Sequence, residues 1–216
     1  MKILSFDIGI KNLSFCLLND DKKILDWGII NICCEEECQH INNKNNVKCC
    51  NSASFITEDN ILLCNSHSKQ KKYTGKKKKI KKNNSVYSTG NKLIEQLDKY
   101  DFLDCEHIII ENQPSLKNPT MKTIQMILYS YFLIKSNHLK LEMINARNKL
   151  KAYKGEQIKC DIKDNYKKNK FLAIEYCKKM IINEDIKYID LFNNSKKKDD
   201  LSDSYLQGIY YINTIK

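Results

Sequence analysis

Glycine and proline are scarce in this sequence, six and two among 216 residues, which excludes collagen-like repeats and Pro-rich linkers. Long apolar runs are missing as well. The longest, such as Ile124 to Leu133, are interrupted or fall far short of the roughly 20 residues a membrane-spanning helix needs, and the N-terminus lacks the apolar centre of a signal peptide. The expectation is a soluble, intracellular protein with no membrane partner. Acidic charge is in deficit: 37 Lys and Arg against 26 Asp and Glu leave a net charge of +11, almost all of the excess being lysine. With 42% hydrophobic residues the chain has material for one core of about 150 residues and a small satellite, not for two large domains. No internal repeat is visible.

The lysines are unevenly spread. Between Lys69 and Lys82 nine of fourteen residues are Lys, including Lys76, Lys77, Lys78 and Lys79. Such a block is expected to stay solvated or to meet a polyanion. Nucleic acid is the default partner, because each neutralised phosphate releases counterions and supplies sequence-independent affinity. The abundance of Lys, Asn and Ile, all with AT-rich codons, points to an AT-rich genome.

Apolar periodicity divides the chain. Ile3 to Ile8, Leu13 to Leu18 and Ile24 to Ile32 read as strands of an antiparallel meander, with a hairpin-sized turn at Gly9 to Asn12. Residues 33–88 are polar, Cys-rich and then Lys-rich, and read as an insertion. A helix is expected from Ser88 to Tyr100. His107 to Asn112, with three consecutive isoleucines, reads as a buried parallel strand stopped by Pro114. Further expectations are a helix over Thr120 to Lys135, a strand over Leu139 to Ile144, and helices over Tyr166 to Ile182 and Asp199 to Thr214. Three hairpin strands followed by alternating helix and strand describe an α/β domain with a mixed sheet, 1–216, carrying the insertion within it.

Four carboxylates sit at element ends. Asp7 lies between Phe6 and Ile8 in an apolar strand, where a carboxylate is costly unless paired or bound to a cation. Glu111 follows Ile108, Ile109 and Ile110. Asp200 and Asp203, three apart at the start of the last helix, share a face, and Asp199 is an alternative register for Asp200. Each alone has an ordinary reading as a turn acid, a strand-end acid or a helix cap. Together they converge on one sheet edge only if something positive lies between them. Oxygen-only ligands favour Mg²⁺ or Mn²⁺, and two such ions activate water and stabilise a leaving oxygen in phosphodiester hydrolysis.

The runs Phe6-Asp7-Ile8-Gly9-Ile10-Lys11-Asn12, Ile110-Glu111-Asn112-Gln113 and Lys198-Asp199-Asp200-Leu201-Ser202-Asp203-Ser204 resemble the RuvC-like Holliday-junction resolvases of the RNase H superfamily. They look most like the poxvirus-type branch of large DNA viruses. The resemblance implies an RNase H-like fold, a homodimer, and metal-dependent paired symmetric nicking of four-way DNA junctions in viral recombination or concatemer processing. It makes Asp7, Glu111, Asp200 and Asp203 the catalytic, metal-holding acids, with two Mg²⁺ or Mn²⁺ per site. Lys149 and Lys170 are similar to basic positions that approach the scissile phosphate. The viral resemblance implies the host cytoplasm or a viral replication compartment as the location.

Ten cysteines in a chain read as intracellular argue for metal before disulfide. Cys16, Cys105, Cys160 and Cys177 lie in apolar contexts and read as small buried hydrophobes. The other six cluster in the insertion. Cys38, then ten residues, Cys49, then fourteen, Cys64, then two and His67 make four N/S ligands suited to one structural Zn²⁺. Cys33, Cys34, His40 and Cys50 remain alternative ligands within the stretch. A zinc knuckle over 33–68 followed by the lysine-rich 69–82 would form a DNA-gripping arm, metal binding supplying folding free energy that the sparse apolar content cannot.

Three rivals stand beside this reading. The actin and sugar-kinase superfamily shares an Asp-x-Gly loop but needs two lobes and further Gly-rich loops. A catalytically silent zinc-containing DNA-binding protein would gain nothing from four clustered acids. A flap or replication-intermediate endonuclease would keep the same site and differ only in substrate shape.

Overall fold

Strict alternation along the first strand sorts its side chains onto two faces, and both faces are covered. In the computed structural model β1 (Lys2–Ile8) pairs antiparallel with β2 (Asn12–Asn19), which pairs antiparallel with β3 (Ile24–Asn31). The chain continues through the short strands β4 (Ile41–Asn42), β5 (Val47–Lys48), β6 (Phe55–Thr57), β7 (Leu62–Leu63) and β8 (Lys77–Lys79). There follow α1 (Val86–Leu97), β9 (His107–Glu111), α2 (Pro119–Lys135), β10 (Lys140–Ile144), a 3-10 helix over Ala146–Ala152, α3 (Asn165–Met180), α4 (Ile186–Asn194) and α5 (Lys198–Ile215). The structure describes residues 1–33, 36–42, 46–49, 51–80, 85–116 and 118–215; Cys34, Cys50, Lys81 and Lys82 of the sequence reading lie outside the described residues.

The main sheet has the order β10-β9-β1-β2-β3, with β9 parallel to both β1 and β10. This is the mixed sheet expected from the meander and the isoleucine run. Leu4, Phe6, Ile8, Ile108 and Ile110 pack with Leu93, Leu97, Ile124, Leu128 and Phe132 of α1 and α2. Ile3, Cys16, Leu18 and Ile109 point the other way, into a core shared with α3, α4 and α5. Phe6, Phe15, Phe132 and Phe192 are fully buried, each contributing on the order of 1.5–3 kcal/mol relative to exposure.

By its contacts the chain divides into two units, Met1–Ile32 with Gly90–Lys216, and Cys33–Thr89. The second has a two-stranded sheet β4-β5 and a three-stranded sheet β7-β6-β8. Part of the solvated lysine block is regular structure. Lys77–Lys79 form β8, paired antiparallel with β6, so a strand edge and not a loose arm carries these side chains. Backbone pairing needs no apolar side chain, and the lysine heads of Lys78 and Lys79 stay exposed.

Other departures are local. The helix α1 begins at Val86, two residues before Ser88, and the helix α4 was not legible. Cys16, Cys105 and Cys177 are buried as expected, whereas Cys160 is only half-buried because the segment between the 3-10 helix and α3 has no regular structure to cover it. Among the described residues no helix is long and apolar enough to cross a membrane.

Candidate active site

Sheet register brings the first two acids together. Phe6 pairs in parallel with Ile110, so the next residues, Asp7 and Glu111, end neighbouring strands, and alternation puts both on the face that packs against α5. The turn after Asp7 depends on Gly9: a Cβ there would lie 2.5 Å from the Asn12 carbonyl oxygen.

The third acid is brought in by the docking of α5. Gly208 admits the helix to the sheet, since a Cβ would lie 2.6 Å from Leu18 Cδ1 and 3.3 Å from Ser5 Cβ. Gln207 Nε2 donates to Ser5 Oγ and to the Phe6 carbonyl oxygen, both at 3.1 Å. Ser204 Oγ and Ser14 Oγ are 2.8 Å apart, and Trp27 Nε1 donates to the Leu201 carbonyl oxygen at 3.2 Å. Asp203 lies one helical turn before Gln207 on the same face. The polar anchors beside Asp7 thus fix where Asp203 stands.

At the centre is Lys149, from the 3-10 helix. Its ammonium is hydrogen-bonded to Asp203 and lies 3.8 Å from Glu111. Side-chain exposure is only 17% for Lys149, 12% for Glu111 and 18% for Asp203, so these charges are poorly screened. Burial pulls the Lys149 ammonium down, but Asp203, Asp7 and Glu111 outweigh it and hold the pKa above the ordinary lysine value. Burial pushes the Asp7 carboxyl well up, reinforced by a hydrogen bond with Glu111 and by the charges of Glu111 and Asp203. Asp203 rises to about 6, burial again outweighing Lys149. Three carboxylates crowded around one cation are a donor set suited to hard divalent ions.

Asp199 and Asp200 both line the same cleft of about 530 Å³. Asp199 is ion-paired with Lys170, whose Nζ also sits 5.1 Å above the Tyr166 ring. Burial opposes ionisation of Asp199, but Lys170 prevails and lowers its pKa. Asp200 is raised by burial and by Asp199, and its partner is Lys197 at 3.6 Å. The charges of Lys149 and Glu111 act on Asp203 ahead of that of Asp199. Both acids lie within one helical turn of Asp203, Asp200 at the i, i+3 spacing and Asp199 at i, i+4. Gln207, Arg147 and Tyr166 were missed by sequence reasoning. Only Gln207 left a signal: an amide on the apolar side of a helix, next to a glycine.

In the second unit Cys38, Cys49, Cys64 and His67 bring one ligand atom each within 4.8 Å of all the others. His67 Nδ1 is 3.4 Å from Cys38 Sγ and 3.3 Å from Cys64 Sγ, close to the roughly 3.5 Å edge of a tetrahedron with Zn–S and Zn–N bonds of ordinary length. Burial raises the Cys64 thiol, yet the backbone N–H groups of His67 and Ser66 and the neighbouring cysteines bring it below its usual value, favouring thiolate. His40 is not in this set. Its ring stacks on His67 at 3.8 Å and its Nδ1 is 3.0 Å from Tyr73 Oη, so it fixes the orientation of the His67 ring.

A family profile described as mitochondrial resolvase Ydc2 / RNA splicing MRS1 matches residues 3–133. The uncharacterized protein L451 of Acanthamoeba polyphaga mimivirus is 41% identical over 142 residues, 57% of this chain and 34% of that protein. The chain spans about a third of the length of that relative. Fowlpox virus resolvase, solved with substrate Holliday junction DNA, aligns with a TM-score of 0.51 and 17% identity over 100% of this chain and 99% of that one, a likeness of fold. T. thermophilus RuvC, in complex with Holliday junction substrate, gives 0.44 and 9% over 100% and 97%.

Proposed function

This chain belongs to the mitochondrial resolvase Ydc2 / RNA splicing MRS1 family, and from that premise we propose that it is a divalent-metal-dependent endonuclease that resolves four-way DNA junctions by paired nicks. The family description couples a resolvase with a splicing protein, so membership leaves cleavage and binding to be separated by the site. The convergence of Asp7, Glu111 and Asp203 around Lys149 carries the cleavage reading, because a surface that only binds phosphate would not bury three acids together.

Asp7, Glu111 and Asp203, with Asp200 or Asp199 at the rim, would hold two Mg²⁺ or Mn²⁺. Bound there, such ions activate a water and stabilise the leaving oxygen of a phosphodiester. The chain's own contribution is to hold these oxygens rigidly: the strand ends fix Asp7 and Glu111, and the α5 anchors fix Asp203. Lys149 keeps the carboxylates gathered, and Lys149 and Lys170 supply positive charge on the DNA side of the cleft.

The same reading gives one structural Zn²⁺ to Cys38, Cys49, Cys64 and His67 and assigns Lys76, Lys77, Lys78 and Lys79 to the DNA backbone. Cys38, Leu63 and Cys64 are the buried core of that unit, with Cys49, Ile61 and Tyr73 packed on it. A core so small, half of it ligands, favours metal as the source of stability. Paired nicking requires two copies. The apolar strip of Ile94, Met126, Ile127 and Ile134 on α1 and α2, with Ile134 81% exposed, supports a homodimer through that face. The viral relative supports a viral replication setting.

The test is nicking of a synthetic four-way junction, with linear duplex and flap controls, in Mg²⁺, in Mn²⁺ and in EDTA. Symmetric metal-dependent nicks are expected. Cutting confined to flaps would change the substrate, and binding without cutting in either metal would favour the silent binding protein.

A further inference from the structure

The 37 Lys and Arg residues include a single arginine, Arg147, and it lines the carboxylate cleft. It stands in the first turn of the 3-10 helix Ala146–Ala152, where Asn145 Oδ1 accepts from its backbone N–H at 3.0 Å and fixes the local backbone. Three basic side chains line the cleft: Arg147, Lys149 and Lys170. Two of them are already engaged. Lys149 is held by Asp203 and Glu111, and Lys170 by Asp199.

The Arg147 side chain is exposed, and among the described residues its guanidinium has no ion pair or hydrogen bond. An incoming strand meets a cleft with five acids, Asp7, Glu111, Asp199, Asp200 and Asp203. For either lysine to bind a phosphate it must leave a carboxylate, whereas Arg147 can do so with nothing broken. A planar guanidinium also offers parallel N–H donors matched to two phosphate oxygens, which an ammonium cannot.

Resting on the nuclease reading, we propose that Arg147 clamps a backbone phosphate of the strand lying in the cleft through two parallel hydrogen bonds, and that lysine does not replace it there. It is a substrate-positioning residue, setting the register of the scissile bond against Asp7, Glu111 and Asp203.

Full-length R147K and R147A are compared with the unmodified chain for thermal midpoint, for single-turnover nicking of the four-way junction, and for junction binding across a salt series in EDTA. Both variants are expected to melt with the parent, because the side chain has no internal partner. R147A should flatten the dependence of log affinity on log salt by about one phosphate contact. R147K should keep that slope but nick at least about tenfold more slowly, because the charge remains while the fork is lost. Parental nicking by R147K overturns the clamp whatever the alanine variant does, and so does an unchanged salt slope for R147A. Failure of the unmodified chain to nick any substrate overturns the nuclease reading alone; the salt slope of R147A still decides the phosphate contact.

Discussion

Gln207 donates its side-chain amide to the carbonyl oxygen of Phe6 at 3.1 Å, joining the closing helix to the residue that precedes Asp7. The same nitrogen reaches Ser5 Oγ at 3.1 Å, and Gln207 is 2% exposed. Removing it leaves a buried carbonyl and hydroxyl without that donor. Gln207→Ala is expected to cost about 1–3 kcal/mol of stability and to lower nicking more than junction binding, because Asp203 loses its register against Asp7. Denaturant melts and single-turnover rates check this, and a variant that loses stability but nicks at the parental rate would refute the positioning role.

Asp7 links stability to pH. Its folded pKa lies well above the ordinary value, so its contribution to stability is fully present below about pH 4 and is lost as pH rises through the folded value. Asp203, at about 6, behaves in the same direction. Metal-free Asp7→Asn should therefore be more stable than the parent at pH 8, on the order of 1–3 kcal/mol, with the difference vanishing toward pH 4. Nicking should be abolished and junction binding kept. Equal melting curves for the two proteins at pH 8 would contradict the crowding of Asp7, Glu111 and Asp203.

Lys149 is the counter-charge of the metal-free site. Lys149→Met keeps the apolar bulk and removes the ammonium, leaving Asp203 and Glu111 without it. A loss of roughly 3 kcal/mol is expected in EDTA, with Mg²⁺ raising the melting midpoint of the variant more than that of the parent. The comparison fails if Mg²⁺ shifts both midpoints equally.

Metal in the second unit should govern the lysine strand. Lys77 Nζ is hydrogen-bonded to the Ser68 carbonyl oxygen, one residue after His67, and β8 pairs with β6. Native mass spectrometry is expected to find one Zn²⁺ per chain, and none in Cys64→Ser. That variant should also bind junctions with a weaker salt dependence. An unchanged slope would place the phosphate contacts elsewhere.

The apolar strip on α2 gives a test of assembly. Ile134→Lys should shift the protein toward monomer in sedimentation without altering its melting by more than about 0.5 kcal/mol, as for other exposed positions. A dimer of undiminished strength would remove this face from the interface.

The apolar run of β1 and the unbroken isoleucines of β9 announced the mixed sheet, and Cys-x-x-His marked two members of the Cys3His cluster, because these signals are local. Charge and side-chain type also marked Asp7, Glu111 and Asp203 as costly residues in need of a cation. The resemblance favoured Asp200 over Asp199 for its spacing from Asp203, although both positions of one helical turn are acidic. Only the rotation of α5, fixed by Gln207, Ser204 and Gly208 against β1 and β2, turns Asp199 toward Lys170. The central place of Lys149 and the unengaged guanidinium of Arg147 were equally hidden among abundant surface lysines. Sequence determined which groups are expensive to bury; the packing of a helix from one end of the chain on a strand from the other decided which of them meet, because ion pairing depends on distances that no local pattern encodes.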